Sequence, residues 1–557
     1  MKNRVLASSL AVILASSMLF GCGGTQTVDN SSTKAEDKKE TTAGDSAQKT
    51  DSDTATATES TSKYQTTYGS KQFDNVTITV ELFDRSNAPD GSTITDNKWT
   101  KYVNEQMNKV GINVEFVPVP RWDEVTKMQA MVASQTAPDL TLTYTYAYAE
   151  DYYNQGGTWD LSEFVDGADQ ALNMKKYLGE EVMNIGRNAE GNLYGIVAKR
   201  ATTAKSNFFI RKDWLDKLGL GIPTNPDELY NALDKMVHEN PDGKTGTAGA
   251  IIWNGWNLKQ VFSKLASDPV KFAVSGGGED VIQDYYDPGM YDYYQFLNKL
   301  YNAGILHQEY YNLAEDDFKS EIVTGNLGFC EYSVNGNVDV LRGSLLKTLK
   351  ENVPDADFVS IPQFKNVNDG QVYSAAYGAG GLIAFCPKTA SEEVVEACMT
   401  YLDWMCTTDG GFVLYHGFEG EHYNMTDGVP VVIDAEYNAK DKDWIRTDIF
   451  IVGNQGYFET VDAFNKCTSK EAPGFEDYVI QNYEYALAGN LNHDSSYTSP
   501  STSDLITDLN IAKDDYQVKM ITCSPDEFDE MYNEYMAELK DVGIDTIIAE
   551  REEYYNN

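Results

Sequence analysis

The chain has 557 residues, enough for two packed domains, and its 86 acidic and 44 basic side chains give a formal net charge of −42. A surface this acidic repels phosphate backbones and anionic lipid, which argues against nucleic-acid binding. It argues more weakly against a strongly anionic ligand, because a local basic pocket can overcome the field of the whole protein.

The N-terminal stretch has the pattern of an export signal that ends in a lipidation site. Lys2 and Arg4 precede an apolar run over residues 5–20, which is too short and too rich in serine to span a bilayer comfortably. A small residue followed by Cys22 resembles a bacterial lipoprotein box. That resemblance implies a signal peptide over residues 1–21, and a diacylglyceryl group and palmitate on Cys22 that hold the protein on the extracellular face of the cell membrane. The alternative is an ordinary secreted protein with an incidental cysteine.

Residues 22–70 are predicted to form the lipidated cysteine and a disordered tether. Between residues 25 and 63, Val28 is the only aliphatic residue larger than alanine. Such a segment cannot bury enough apolar surface to offset its ordering entropy. A flexible coil of this length has an r.m.s. reach of about 35–40 Å. We expect ordered structure to begin near Phe73.

Strand and helix patterns alternate over the residues that follow. Strand patterns cover 76–83, 112–117 and 138–143, and apolar residues at helical spacing cover 99–110 and 123–133. Three strands separated by two helices in so short a stretch indicate a parallel α/β sheet.

A series of short motifs follows along the chain, and their order is more specific than any one of them. In chain order they are Arg121-Trp122-Asp123, Ala137-Pro138-Asp139-Leu140, Leu193-Tyr194-Gly195-Ile196, the run from Phe208 to Leu220, Pro223-Thr224, Thr324-Gly325-Asn326-Leu327-Gly328-Phe329, the run from Gly417 to Tyr423, and Lys540-Asp541-Val542-Gly543-Ile544-Asp545. Together they resemble the bacterial extracellular solute-binding lipoproteins that feed carbohydrate-type ABC importers. The resemblance extends over residues 73–555.

The resemblance implies an α/β, two-lobed periplasmic-binding-protein-like fold of the class II type, with discontinuous lobes and a ligand cleft between them. The expected bounds are 71–200 plus 381–440 for lobe 1 and 201–380 plus 441–557 for lobe 2. Crossovers are expected near 197–207 and 372–385. It also implies a monomeric, non-enzymatic receptor that captures an oligosaccharide for import by ABC transporter permease subunits.

The candidate ligand-binding residues follow from two rules. Ligands bind at the carboxyl ends of strands in open α/β sheets. Flat rings cover the apolar faces of a sugar, while acids, amides and arginine bind its hydroxyls. The candidates are Asp84, Arg85, Arg121, Trp122, Tyr144 and Tyr146 in the first lobe, and Trp253, Trp256, Tyr332 and Tyr377 in the other lobe and the crossover. Trp122 is expected to approach the ligand from one lobe and Trp253 or Trp256 from the other. For any single aromatic residue, partial burial in the core is an equal alternative.

The sequence lacks the common enzyme motifs that would favour a catalytic function. The sequence has no GxSxG, HExxH or GxxxxGK[ST], and no GxGxxG between a strand and a helix. No catalytic residue and no cofactor is therefore predicted. Two other functions stay open, because an aromatic cleft also suits a peptide or other amphipathic ligand, and a cell-surface glycosidase needs only one suitable pair of carboxylates.

Metal sites are not predicted either. Many proteins of the family that this chain resembles have an acidic calcium loop after a Pro-Thr helix start. Here residues 239–246 hold few carboxylates and include Lys244, so a plain turn is expected. His416 and His422 lie beside glutamates, but a loop near the cleft is the favoured interpretation. The six cysteines after Cys22 form no CxxC and no metal-ligand spacing, and their spacing does not decide whether disulfides form.

Overall fold

The computed structural model describes residues 62–244, 246–334, 344–495 and 497–556. The predicted signal peptide, Cys22 and most of the predicted tether lie outside the described residues. Among the helices that are described, none has the length and apolar character needed to cross a membrane.

The described residues form fourteen strands. They are β1 (Val76–Asp84), β2 (Ile112–Pro120), β3 (Thr141–Thr143), β4 (Ile196–Arg200), β5 (Ser206–Arg211), β6 (Ala248–Ile252), β7 (Leu327–Ser333), β8 (Phe358–Ile361), β9 (Tyr373–Ala376), β10 (Gly380–Phe385), β11 (Tyr423–Thr426), β12 (Val429–Val432), β13 (Gly453–Asn454) and β14 (Asn490–His493).

The α-helices of the same residues surround these strands. They are α1 (Lys98–Met107), α2 (Glu124–Ala133), α3 (Tyr146–Asn154), α4 (Ser162–Val165), α5 (Leu172–Ile185), α6 (Lys212–Lys217), α7 (Pro226–His238), α8 (Trp256–Phe262), α9 (Pro269–Val274), α10 (Asp280–Tyr286), α11 (Met290–Asn302), α12 (Glu315–Val323), α13 (Ser344–Asn352), α14 (Glu392–Met405), α15 (Val413–His416), α16 (Ala435–Asn438), α17 (Arg446–Ile449), α18 (Val461–Lys470), α19 (Glu476–Ala486), α20 (Thr502–Thr522), α21 (Phe528–Val542) and α22 (Ile544–Asn556).

The first sheet joins strands from distant parts of the chain. β1 and β2 pair in parallel along their whole length, and Leu140, just before β3, bridges Val80 of β1 in parallel. β10 is antiparallel to both β3 and β4, and β13 runs parallel to β4. The predicted parallel arrangement of the first three strands is confirmed. Apolar residues of α1 and α2, including Trp99 and Met128, are fully buried against this sheet.

The second sheet has the strand order β6-β7-β5-β8. β5 is antiparallel to β7 and β8, while β6 is parallel to β7. Helices α7, α8, α11 and α20–α22 contribute buried residues to a core on this sheet that is separate from the core of the first. β9 and β14 form a further parallel pair.

The chain passes repeatedly between the two sheets. It leaves the first sheet after β4 and enters the second at β5, then returns to the first from β9 to β10. After β13 it leaves the first sheet again and adds β14 beside β9. Each lobe is therefore discontinuous in sequence, which confirms the predicted two-lobed α/β fold.

Ordered structure begins earlier than the sequence predicts, because Ser62–Ser70 pack on the first lobe rather than belonging to a free tether. Tyr64 is 5% exposed and its ring stacks on Phe164 with centroids 4.0 Å apart. The backbone N–H of Gln65 donates to Glu396 Oε1 at 2.7 Å, and that of Tyr68 donates to Asp403 Oδ2 at 2.8 Å. One stacked ring on α4 and two backbone hydrogen bonds to α14 thus hold this polar stretch against the first lobe.

The C-terminal end of lobe 1 also differs from the expected position. Trp444, Ile445 and residues 449–452 are buried in the core of the first sheet, beyond the expected end of lobe 1 at 440. β13 then pairs with β4 in that same sheet. We therefore propose that lobe 1 ends with β13.

Candidate ligand-binding site

Several of the predicted residues meet at one edge of the first sheet. β1, β2 and β3 run in parallel, so Asp84, Arg121 and Tyr144 all follow strand ends at this edge. Because β10 is antiparallel to both β3 and β4, β4 also ends here, with Arg200 as its last residue. Strand direction alone therefore brings these charged and aromatic side chains together.

One arginine contacts the ring of Tyr144, and two more act on its phenol through their charge. The guanidinium carbon of Arg121 lies 4.3 Å from the centroid of the Tyr144 ring. Burial raises the pKa of Tyr144 and the negative charge of Asp448 adds to that rise, whereas the positive charges of Arg121, Arg85 and Arg200 oppose it. The half-buried phenol is therefore protonated at neutral pH.

Arg85 is fixed by a buried carboxylate. Its Nε and Nη2 donate to the two oxygens of Asp448 at 2.7 and 2.9 Å, and the Asp448 side chain is only 3% exposed. Burial lowers the pKa of Arg85, but the hydrogen bonds and charge of Asp448 outweigh it and raise that pKa above its usual value. Burial raises the pKa of Asp448, and Arg85 opposes that rise. The pair is a bidentate, charge-assisted contact.

Trp122 is the most exposed of the predicted aromatic residues. It is 81% exposed, and the guanidinium carbons of Arg121 and Arg85 lie 5.2 and 5.5 Å from its ring centroid. These cation–π contacts hold the ring beside the arginines. The exposed part of the ring is thus available to a ligand at this edge.

A cavity of about 450 Å³ opens between the first lobe, the crossover segments and the segment after β14. It is lined by Tyr144, Tyr146, Glu181, Ile185, Arg200, Thr203, Tyr377, Gly378, Ala379, Gly380, Gly381, His493, Asp494 and Ser495. The Tyr146 hydroxyl donates to the Gly381 carbonyl, and burial raises the pKa of Tyr146 to about 12. Arg200 Nε donates to the Gly380 carbonyl at 2.8 Å. The cavity therefore combines aromatic rings with polar groups.

Trp256 adjoins this cavity from the second lobe. Its half-buried ring meets Tyr377 edge-on at 6.2 Å, and the ammonium of Lys205 lies 4.3 Å from its centroid. Lys205 Nζ is also 2.6 Å from Asp494 Oδ1. Burial raises the pKa of Asp494, and Lys205 opposes that rise. Trp256, Lys205 and Asp494 thus form the second-lobe side of the candidate site.

Trp253 and Tyr332 lie elsewhere in the second lobe. The Trp253 ring stacks on Phe318 of α12 with centroids 5.1 Å apart. Tyr332 is 3% exposed, packs against the same phenylalanine, and its hydroxyl donates to Glu315. Because α12 lies against this part of the second sheet, the structure does not bring these two side chains to the cavity. Of the two tryptophans predicted to bind from the second lobe, Trp256 is the one that lies beside the cavity.

Other polar residues of the site were not predicted from the sequence. Arg200 could have been found, because it ends a strand at the same edge. Lys205 follows in the same crossover segment. Asp448 and Asp494 come from parts of the chain 363 and 289 residues from their partners, and no local pattern marks them.

Two groups of acidic side chains resemble possible metal sites, but lysine or arginine side chains already contact the acids of each group. Glu421, His422 and Asp441 each place one ligand atom within 4.8 Å of the others. Lys98 Nζ lies 2.7 Å from Glu421 Oε1 and 3.0 Å from Asp441 Oδ2. A lysine already supplies the positive charge that these acids attract.

The second group lies in the loop over residues 239–246, for which the sequence predicts a plain turn. Asp242 Oδ2 accepts hydrogen bonds from Trp214 Nε1 at 2.8 Å and Arg211 Nη2 at 3.1 Å, and its other oxygen contacts Lys217 Nζ. Burial raises the pKa of Asp242, but the contacts of Lys217 and Trp214 outweigh it and lower that pKa overall. The described part of the loop closes as a turn, with Gly243 N–H donating to the Asn240 carbonyl at 2.9 Å.

Comparison with known families agrees with this architecture. Residues 101–417 match the family described as bacterial extracellular solute-binding protein. The match covers more than half of the chain, and the chain belongs to this family. The predicted family resemblance is confirmed.

Two curated relatives come from Bacillus subtilis (strain 168). The polygalacturonan/rhamnogalacturonan-binding protein YtcQ is 22% identical over 356 residues, which cover 62% of this chain and 66% of YtcQ. Lipoprotein LipO is 25% identical over 291 residues, which cover 49% of this chain and 54% of LipO. The chain thus matches less than two thirds of the length of either relative.

A solved structure with the same fold is the HMO binding ABC-transporter associated solute-binding protein from Bifidobacterium longum infantis ATCC 15697. Its TM-score is 0.62 at 15% sequence identity, and the superposition covers 87% of this chain and 99% of that one. At this identity the similarity supports the fold alone.

Proposed function

We propose that this protein captures an oligosaccharide outside the cell and delivers it to the permease subunits of an ABC importer. The observation that carries the proposal is the cavity at the junction of the two lobes, where tyrosine rings stand beside arginine, aspartate and backbone carbonyl groups. Rings of this kind stack on the apolar faces of a pyranose, and the polar groups bind its hydroxyls. The carbohydrate-binding name of YtcQ supports the same ligand class.

A receptor without catalytic activity fits the carboxylates of the site better than a glycosidase does. A glycosidase needs one carboxylic acid to protonate the leaving group. It also needs a second carboxylate that either activates a water molecule or attacks the sugar as a nucleophile. Asp448 is held by Arg85 and Asp494 by Lys205, so both are occupied as hydrogen-bond acceptors. A peptide would also suit the aromatic rings, and it is the alternative ligand that the experiment must separate.

The test is a panel of oligosaccharides and peptides, with thermal shift as the first readout and chromatography of the ligand afterwards. We expect a rise in melting temperature with at least one oligosaccharide and no change in that ligand on prolonged incubation. Release of smaller sugars would contradict the receptor proposal. Stabilisation by peptides alone would contradict the oligosaccharide proposal.

A matched pair of tryptophan variants tests the proposed site. Trp122→Ala removes an exposed ring and should weaken sugar binding by about 1–3 kcal/mol with little loss of stability. Trp253→Ala removes a ring packed on Phe318, so it should lower the free energy of unfolding by about 2–4 kcal/mol and leave affinity unchanged. Calorimetric titration and melting curves measure both quantities. Equal affinity of Trp122→Ala and the wild type would remove Trp122 from the site.

We further propose that Cys22 carries the lipid anchor and that the protein acts as a monomer. In detergent phase partitioning, intact protein should enter the detergent phase and Cys22→Ala should stay in the aqueous phase, because two acyl chains are needed for stable anchoring. Equal partitioning of both proteins would mean that Cys22 is not the anchor.

A further inference from the structure

Two arginines at the candidate site have no carboxylate partner in the part of the chain that the structure describes. The Nε of Arg121 is buried and makes no hydrogen bond there. Arg200 donates from Nε to the Gly380 carbonyl at 2.8 Å and from Nη1 to Asn454 Oδ1 at 3.5 Å, and both acceptors are neutral. A buried polar group without a partner in a native structure calls for an explanation, such as a missing ligand.

None of the carboxylates nearby forms a salt bridge with Arg121 or Arg200 in the described part of the chain. Glu124 acts on Arg121 only through its charge; its Oε1 accepts the backbone N–H of Tyr144 at 3.3 Å, and its Oε2 makes no hydrogen bond there. Asp448 accepts both hydrogen bonds of Arg85, and Asp494 accepts from Lys205. Asp84 accepts from the backbone N–H of Ser86 at 2.8 Å. Glu181 lines the cavity but is exposed to solvent. The protein therefore does not neutralise Arg121 and Arg200 with a direct ion pair from these groups.

Aromatic rings pack against both guanidinium groups. Arg121 lies 4.3 Å from the ring centroid of Tyr144 and 5.2 Å from that of Phe83, and Arg200 lies 4.5 Å from that of Tyr377. Stacking on a ring occupies a face of the guanidinium and leaves N–H groups at its edge for a ligand. This fork of donors matches the two oxygens of a carboxylate.

We infer that the oligosaccharide is acidic and that Arg121 and Arg200 bind its carboxylate groups, as uronic acid units would supply them. The inference rests on the proposed function. Arg200 lines the cavity, and Arg121 lies against Tyr144, which also lines it. A neutral sugar that displaced water from the cavity would leave the Arg200 guanidinium poorly solvated without a counter-ion, which is unfavourable. Three of the nine arginines in the chain act on Tyr144 through their charge, although acidic residues outnumber basic ones by 86 to 44.

The experiment compares charged and uncharged forms of the same sugar. Oligomers of galacturonate, glucuronate and mannuronate are titrated calorimetrically beside their methyl esters, which keep the rings and linkages but remove the charge. A set of neutral oligosaccharides of equal length completes the panel. We expect at least one uronate oligomer to bind, and its methyl ester to bind at least tenfold more weakly.

Arginine variants then test the two side chains. Arg121→Gln and Arg200→Gln should each weaken binding of the acidic oligomer about tenfold to a hundredfold and weaken its methyl ester much less. Lys101→Gln removes an exposed cation on α1 and is the control for a general charge effect. Melting curves show that each variant is folded, and the ester comparison on the wild-type protein does not depend on any variant.

The outcomes separate this inference from the proposed function. Tight binding of neutral sugars with no preference for uronates would overturn the inference and leave the proposed function standing. Equal losses for acid and ester in both arginine variants would also overturn it. If no saccharide of either kind binds to the folded protein, the proposed function fails and the inference fails with it.

Discussion

Glu81 offers a direct test of the electrostatics beneath the candidate site. Its side chain is fully buried in β1, one oxygen accepts the backbone N–H of Leu142 at 3.0 Å, and the other has no partner among the described residues. Burial raises the pKa of Glu81 to about 8, the hydrogen bond from Leu142 lowers it, and the nearby Glu124 raises it further. Glu81 is therefore mainly protonated in the folded protein at pH 7.

The sign of the pH dependence of stability follows from the pKa of Glu81 in the folded and in the unfolded protein. The unfolded chain loses the Glu81 proton near pH 4.5, whereas the folded protein keeps it up to about pH 8. Between these values the folded state binds more protons, so this group makes the free energy of unfolding fall as pH rises. The slope is at most about 1.4 kcal/mol per pH unit, and the loss from pH 5 to pH 8 approaches about 4 kcal/mol.

Glu81→Gln removes this titration, so the variant should gain stability relative to the wild type as pH rises. Urea unfolding at pH 5, 6, 7, 8 and 9 should give a stability difference between the two proteins that changes by about 3–4 kcal/mol and levels off above pH 8. Glu115→Gln, at an exposed position on β2, is the control and should leave the pH profile unchanged. A difference between Glu81→Gln and the wild type that is constant across this range would refute the reasoning.

Three further predictions follow from contacts described above. EDTA or 1 mM calcium chloride should leave the melting temperature unchanged, because protein cations already bind Asp242; a calcium-dependent rise of several degrees would contradict this. Tyr64→Ala should lower the free energy of unfolding by about 2–4 kcal/mol, because it removes a ring stacked on Phe164, and an unchanged urea midpoint would mean that the segment is not docked. Asp448→Asn should cost about 2–4 kcal/mol in the same assay, since Arg85 loses its charged partner; a variant as stable as the wild type would contradict that role.

The strands of the first lobe were predictable because their patterns are local. β1 was predicted over 76–83 and extends over Val76–Asp84. β2 was predicted to end at 117 but continues to Pro120, through two prolines that would interrupt a central strand. Since β2 is paired only with β1, it tolerates prolines as an edge strand does. The missing information was the position of the strand in the sheet.

The candidate site was predictable only where it depends on strand ends. That rule found Arg121 and Tyr144. In the structure the guanidinium carbon of Arg121 lies 4.3 Å from the centroid of the Tyr144 ring. The same rule also selected Trp253 and Tyr332, which pack against Phe318 of α12 instead. Nothing in the local sequence reveals that α12 covers them. Asp448 could not be found at all, since its partner Arg85 lies 363 residues away.

Net charge was a poor guide to this pocket for a related reason. A formal charge of −42 is a sum over the whole surface, and it determines how the protein repels anions at a distance. Within a cavity the interaction depends on the few groups nearest to the ligand, such as Arg200, because salt screens partly buried charges least. An acidic sugar would then approach against the field of the protein and be held by local contacts. In such a complex the long-range field would slow association, while hydrogen bonds from Arg121 and Arg200 would slow dissociation.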